Sequence, residues 1–351
     1  MNRVTVPFFI SHQGCPHTCV FCDQRSISGS SGTLPDGDGI GARIRTWRAS
    51  AHGRPLEVAF FGGTFSALPR QVQQRLLAAV RPFLLSGDVE SIRISTRPDS
   101  LDAGSVQWLA GQGVRTIELG VQSMVDAVLE ASGRGHGSSS SLDAIQCIRG
   151  CGLVAGAQLM PGLPGDTPAT ARSSLERVLD AGADFIRLYP VVVLRGTELA
   201  RRYLEGSYRP LTLQEGVTIC KDLLRIALRR GIPVVRIGLQ DDDGLRKGAV
   251  LAGCWHPALG YLVQCELFCD LLLRLTASLP DRSRPITVSC HPSRLSTVIG
   301  HRRDTMIRLQ RQGLRIGKVQ ADLSLSPLTC RVSAACGSAL GSIVDTPELR
   351  S

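Results

Sequence analysis

Short apolar runs rich in β-branched residues alternate with amphipathic stretches through the first half of the chain, and this alternation limits the fold more than any other feature. The strand-like runs are Val4 to Ser11, Leu56 to Phe61, Ser91 to Thr96, Thr116 to Val121, Val154 to Met160 and Phe185 to Val193. Helical patterns separate them. In Arg70 to Leu85, for example, Val72, Leu76, Leu77 and Val80 recur at helical spacing. Leu101 to Gln112, Leu142 to Cys151 and Ala169 to Ala181 behave alike. Strands joined by helices pair in parallel, because the helix carries the chain back to the starting edge. Six such units predict an α/β fold short of a closed eight-fold barrel. Its reactive residues are expected at the C-terminal ends of the strands.

After Val193 the rhythm changes. A helix is expected over Leu213 to Arg230, then a strand over Val234 to Leu239, then a mostly helical stretch from His256 to Ala277. Asp241-Asp242-Asp243-Gly244 reads as a turn; its carboxylates suit a solvated loop, a metal site being the alternative. A strand–helix–strand unit follows over Ile286 to Cys290, Pro292 to Gln312 and Leu314 to Val319. The expected organisation is a core with its extension over 1–240, a small basic α/β domain over 241–323 and a poorly ordered tail over 324–351. Flexible segments are expected at Ser28 to Gly39 and Gly133 to Ser141.

No apolar run reaches the ~18 residues of a membrane span. The run Val6-Pro7-Phe8-Phe9-Ile10 is too short for a signal-peptide core and reads as a buried strand. A cytoplasmic protein with no membrane partner is the expectation. Twelve cysteines in a chain of 351 residues then point to metal ligands or buried thiols rather than a disulfide framework.

Three of those cysteines stand together in Cys15-Pro16-His17-Thr18-Cys19-Val20-Phe21-Cys22, with C-x3-C-x2-C spacing. They fall in the loop after the first strand, at the reactive end of the sheet. Three thiolates on one loop can hold three irons of a [4Fe–4S] cluster and leave the fourth iron open for chemistry. The rival is zinc, with His12 or His17 as fourth ligand, although structural zinc motifs normally come as two spaced pairs.

At these residues the chain resembles the radical S-adenosylmethionine (SAM) superfamily, whose motif places an aromatic residue, here Phe21, before the third cysteine. The resemblance implies a partial (β/α)6 TIM-like barrel, here with a small α+β C-terminal domain. It also implies a [4Fe–4S] cluster on Cys15, Cys19 and Cys22, with SAM as cofactor. Reductive cleavage of SAM would give a 5′-deoxyadenosyl radical that modifies a substrate. A reductant such as flavodoxin or ferredoxin would be a partner.

Further motifs lie at or soon after successive strand ends. They are Phe60-Phe61-Gly62-Gly63-Thr64-Phe65, Ser95-Thr96-Arg97-Pro98-Asp99, Glu118-Leu119-Gly120-Val121-Gln122-Ser123, Arg134-Gly135-His136 and Met160-Pro161-Gly162-Leu163-Pro164-Gly165. Together with Leu188-Tyr189-Pro190 and Arg195-Gly196-Thr197, they resemble the radical SAM core of the elongator catalytic subunit, a tRNA-modifying family. They are similar, less closely, to the oxygen-independent coproporphyrinogen oxidases. The resemblance spans about residues 4 to 210. It implies that Gly62 and Gly63 meet the SAM amino group, with Thr64 where the superfamily often has Glu. It places Ser95 and Gln122 near the ribose, Arg134 at the carboxylate, and Met160 and Gly162 beside the adenine. The residues beyond show no acetyl-CoA-binding pattern, so acetyl transfer is not implied.

Cys254, Cys265 and Cys269 also cluster in the sequence. Cys265 and Cys269 are one helical turn apart, which reads as core, with an auxiliary cluster as the alternative. Cys147 and Cys151 share that spacing and read as core too. Between Arg282 and Lys318 nine Arg or Lys residues face one acid, Asp304, which accounts for most of the chain's net charge of +10. That imbalance suggests an anion-binding surface and, as its partner, RNA. Within it, Val298-Ile299-Gly300-His301-Arg302-Arg303-Asp304 resembles a degenerate KH-type loop, with Arg303 in place of the second glycine of G-x-x-G. The functional expectation is a radical SAM enzyme acting on tRNA or other RNA. The alternatives are a non-catalytic iron–sulfur RNA-binding protein and a radical SAM enzyme acting on a small molecule.

Overall fold

A computed structural model describes residues 3–16, 19–23, 33–240, 248–280, 284–335 and 337–345. The Asp241–Gly244 turn and residues 28–32 of the expected flexible segment lie outside the described residues; the end of that segment is ordered, with Asp36 capping the helix that begins at Gly37. The chain divides into two units, 1–212 with 232–255, and 213–231 with 256–351.

The first unit is built on a seven-stranded parallel sheet, ordered β1 (Val4–Phe9), β2 (Leu56–Phe61), β3 (Val89–Thr96), β4 (Val114–Gln122), β5 (Val154–Leu159), β6 (Phe185–Leu188) and, outermost, the strand Val234–Ile237. The sheet curls as a half-barrel. Its helices are α1 (Gly37–Ser50), α2 (Arg70–Leu85), α3 (Ala103–Gly111), α4 (Asp126–Ala131), α5 (Ser138–Gly150), α6 (Pro168–Asp180) and α7 (Glu198–Leu204). Val58, Phe60, Ile92, Ile94, Ile117 and Leu119 are fully buried, as a sheet covered on both faces requires.

Several expectations need correction. Phe185 to Val193 is not one strand. Pro190 lacks an N–H for the ladder, so β6 stops at Leu188, and β7 (Val192–Leu194) pairs antiparallel with Val250–Gly253 instead. Gly133 to Ser141 holds the start of α5, where the Asp126 carboxylate accepts the Ser138 N–H at 2.6 Å. A seventh strand extends the six-unit sheet, because Val234–Ile237 returns parallel to β6. In chain order Val234–Ile237 is β8 and Val250–Gly253 is β9.

The second unit begins with the helix α8 (Leu213–Arg229) and continues with α9 (Leu259–Ala277). A four-stranded sheet follows in the order β11 (Ile316–Ala321), β10 (Ile286–Cys290), β12 (Thr329–Ala334) and β13 (Gly337–Ser342). β10 and β11 are parallel and are connected through α10 (Leu295–Ile299) and α11 (Asp304–Arg311). The strand–helix–strand expectation over 286–319 therefore matches the structure. The expected loose tail does not, since β12 and β13 form an antiparallel hairpin on β10 with Cys330 and Val332 buried. The helix over 213–229 also groups with this unit rather than with a core ending at 240.

Candidate functional site: a cysteine loop at the strand ends

The cysteine loop follows β1 and is held against the turn after β2. Ile10 N donates to Phe61 O at 2.7 Å, His12 N to Gly62 O at 3.0 Å and Thr64 N to Gln13 O at 2.9 Å. A side chain at Gly63 would meet Ile10 O at 2.5 Å and Gln13 O at 2.6 Å, so only glycine lets the two loops approach this closely. Thr64 is fully buried, with its hydroxyl 3.3 Å from the Cys15 thiol. Cys19, Val20 and Phe21 sink into an apolar cluster with Val128, Leu163, Val191, Leu199 and Tyr208. Val20 is tied by backbone bonds to Ser132 and Leu199.

The three thiols are free of disulfides. Burial, then the neighbouring Cys19 and Cys15 thiols, push the Cys22 thiol up to about 12. Among the described residues no three metal-binding side chains stand in a finished cage. The donor set nevertheless fits an iron–sulfur cluster, because three thiols free of disulfides come from one loop and one of them is met by a buried cation. That cation is Arg134, 5% exposed, whose Nη1 donates to Cys19 Sγ at 3.2 Å. Its Nη2 donates to Gly120 O and lies 3.3 Å from His136 Nε2, while its Nε has no partner.

The sequence motifs converge here. Arg97 grips Asp99 through two bonds of 2.9 and 2.8 Å and donates to the Arg134 carbonyl at 2.5 Å. Gln122 ends β4 in a left-handed conformation, φ 69°, and accepts from Gln158 Nε2 at 3.1 Å. A side chain at Gly120 would meet Gln122 Nε2 at 2.9 Å. Ser95 lies half-buried near the end of β3, and Met160 packs on the cysteine-loop cluster. Gly162, φ 90°, is tied by Tyr208 Oη to its carbonyl at 2.6 Å and by its N–H to Asp166 at 2.9 Å.

Sequence reading missed a polar ladder through the parallel strands. Arg93 bonds Glu57 at 2.7 Å and Glu118 at 2.6 Å. Arg187 bonds Glu118 at 3.0 Å and the Tyr189 hydroxyl at 3.2 Å. The available signal was a single charge inside each apolar run: Leu-Glu-Val, Ile-Arg-Ile, Ile-Glu-Leu and Ile-Arg-Leu. It also missed Gln158 as the partner of Gln122.

Cys254, Cys265 and Cys269 are buried, and burial pushes Cys254 up to about 12 and Cys269 to about 11. Their burial is what the core reading expected, although Cys265 also bonds Tyr261 and Cys269 lies near Arg308 and Glu266. Cys147 and Cys151 are only partly buried, at one end of α5. In the basic segment, Arg308 pairs with Glu266 and Asp304, and Arg294 bonds Gln264. Arg302, Arg303, Arg311, Arg315 and Lys318 are exposed and meet no carboxylate among the described residues.

Comparison with known proteins places this architecture. The Radical SAM superfamily family model matches residues 9–178, and a Radical_SAM C-terminal domain matches 183–268. The chain belongs to the radical SAM superfamily. Among curated relatives, a tRNA uridine(34) acetyltransferase of Methanocaldococcus jannaschii is 25% identical over 254 residues, covering 61% of this chain and 47% of that protein. A heme chaperone HemW of Lactococcus lactis is 25% identical over 222 residues, covering 62% and 57%. The chain thus spans about half the length of these relatives. The solved structure of Methanocaldococcus infernus Elp3 shares the fold with a TM-score of 0.61 at 22% identity, covering 76% of this chain and 62% of that one. No helix among the described residues is long and apolar enough to cross a membrane.

Proposed function

We propose that this chain is a radical SAM enzyme that modifies a nucleotide in RNA, with tRNA as the substrate class. Cys15, Cys19 and Cys22 hold the cluster, and an electron carrier of the flavodoxin or ferredoxin kind reloads it. The cluster supplies, when bound, the one electron that splits SAM into methionine and a 5′-deoxyadenosyl radical able to take a hydrogen atom from the substrate.

The chain's own residues set the stage. Thr64 steadies Cys15, and the apolar cluster around Cys19 and Phe21 keeps water from that side of the loop. Gly62 and Gly63 present backbone to the SAM amino group. Ser95 and Gln122 stand at strand ends for the ribose, and Met160 with Gly162 flanks the adenine. Arg134 receives the SAM carboxylate, for which a guanidinium fork is well suited. The observation that carries the reading is this arginine: buried in the loop between α4 and α5, reaching the end of β4, touching a cluster cysteine, with Nε uncommitted. RNA as substrate rests on the tRNA enzymes among the relatives.

The test is anaerobic. Reconstituted, reduced protein is given SAM, and 5′-deoxyadenosine is measured by mass spectrometry with and without bulk tRNA. Product that rises with tRNA is expected, and Cys19→Ala should abolish both cluster and product. Similarity to a heme chaperone favours a second reading, a protein handling a tetrapyrrole. Product indifferent to tRNA, or none despite an intact cluster and reductant, would move the assignment there.

A further inference from the structure

The second unit carries a groove that the radical chemistry does not use. It has a volume of about 190 Å³ and lies between α11 and β11. Ile299, Met306, Ile316 and Val319 give it an apolar floor, and Arg303 and Lys318 stand at it as cations. β11 is an outer strand of its sheet, paired only with β10, so one row of its backbone N–H and C=O groups has no strand partner. At one end of the groove is the turn Gly300-His301-Arg302-Arg303. Gly300 is obligatory there, since a side chain would meet Thr305 N at 2.7 Å. Arg302 and Arg303 both take left-handed conformations, φ 50° and 65°, which side-chain-bearing residues rarely adopt.

Charge decides what this groove fits. Five exposed cations, Arg302, Arg303, Arg311, Arg315 and Lys318, lie on the turn, on α11 and on or just before β11. The nearest acid in sequence, Asp304, is paired with Arg308, which it shares with Glu266. Beside the turn, His301 stands edge-on to His256 and Tyr261, with ring centroids 6.0 and 6.3 Å apart. A small slot of mixed apolar and polar lining, an open strand edge, partly exposed rings nearby and unpaired cations together match unstacked bases with their phosphates. The slot is far too small for a duplex, and its cations do not suit an acceptor for a basic peptide.

We propose that this groove binds a single-stranded RNA segment, the turn over 300–303 holding the phosphates and the slot along β11 receiving bases. The choice of RNA rests on the function proposed above; the groove itself is independent of the cluster.

The test uses the full chain and a fluorescein-labelled single-stranded RNA oligonucleotide, with affinity read by anisotropy across salt concentrations. The variant is Arg302→Gly with Arg303→Gly, because glycine accepts the left-handed backbone without strain and removes only the guanidinium groups. The control, Arg75→Ala with Arg81→Ala, removes equal charge from the exposed face of α2. The glycine variant should lose about tenfold or more in affinity, and its log–log salt slope should shrink by about 0.7 per lost contact. The control should lose little. Formation of 5′-deoxyadenosine without RNA should be unchanged in the glycine variant, so failure of the groove and failure of the radical reading are separable. Equal losses in variant and control, preference for a hairpin duplex, or binding to phosphatidylserine vesicles with no RNA affinity would each overturn the proposal.

Discussion

The two units handle charge in opposite ways. In the half-barrel, Glu57 and Glu118 are nearly inaccessible; Glu57 meets Arg93 of β3, and Glu118 meets Arg93 and, from beyond β5, Arg187 of β6. In the second unit, five cations between 302 and 318 stand exposed and meet no carboxylate among the described residues. A parallel strand covered on both faces can carry a charge only if an opposite charge meets it, because an isolated buried ion is costly. A helix facing solvent has no such obligation. Matched charge in the barrel therefore speaks of the fold, and unmatched charge around α11 and β11 is what the proposed RNA contact would use.

The sharpest way to break this comparison is Glu118→Gln. It leaves Arg93 and Arg187, whose side chains are 17% and 18% exposed, without their shared carboxylate. Urea denaturation should show a loss of about 3 kcal/mol. Lys318→Ala, in the other unit, should stay within about 0.5 kcal/mol. Comparable losses at the two positions would mean that pairing in the barrel is incidental.

Much of the barrel was legible because strands buried on both faces leave unbroken apolar runs, and the helices between them keep helical spacing. The cysteine spacing was equally plain, since three ligands of one group must come from one short loop. The polar ladder escaped because one charge in an apolar run looks like a solvated edge until the neighbouring strand supplies its partner. The strands over 329–342 escaped for a related reason. Gly337–Ser342 has little intrinsic preference for extended structure, and its order comes from pairing with β12. Around the cysteines, Arg134 could be placed by its motif, but its contact with Cys19 depends on Arg97 fixing the Arg134 carbonyl, a link between residues 37 positions apart.

Arg134 is the barrel's exception, a buried cation whose neighbours are a thiol, a carbonyl and a histidine rather than a carboxylate. Arg134→Gln and Arg134→Lys sharpen its role. Both should retain iron. Gln should weaken SAM binding by about tenfold or more, the worth of one charge-assisted bond, and should lower the cluster's reduction potential by removing a positive charge beside Cys19. Lys restores the charge but not the fork, so the potential should recover while SAM affinity stays low. Equilibrium dialysis with labelled SAM and a spectroscopic redox titration separate these effects. Unchanged SAM affinity and unchanged potential in both variants would leave Arg134 a purely structural residue.

The smallest effect tests the comparison from the other side, at a cation of the second unit that is paired. Arg308 reaches both oxygens of Glu266, at 2.9 and 2.6 Å, and also meets Asp304. Its side chain is 39% exposed, so Arg308→Ala should cost less than about 1 kcal/mol of stability. The charge of Arg308 is already spoken for, and RNA should gain little from it. Its removal does uncover Glu266 and Asp304, and these should repel phosphate weakly over a Debye length of about 10 Å. The expected loss in RNA affinity is about twofold at low salt, vanishing as salt rises. A loss as large as that of the Arg302→Gly, Arg303→Gly variant would show that paired and unpaired cations contribute alike, and the distinction between the two uses of charge would fail within the second unit itself.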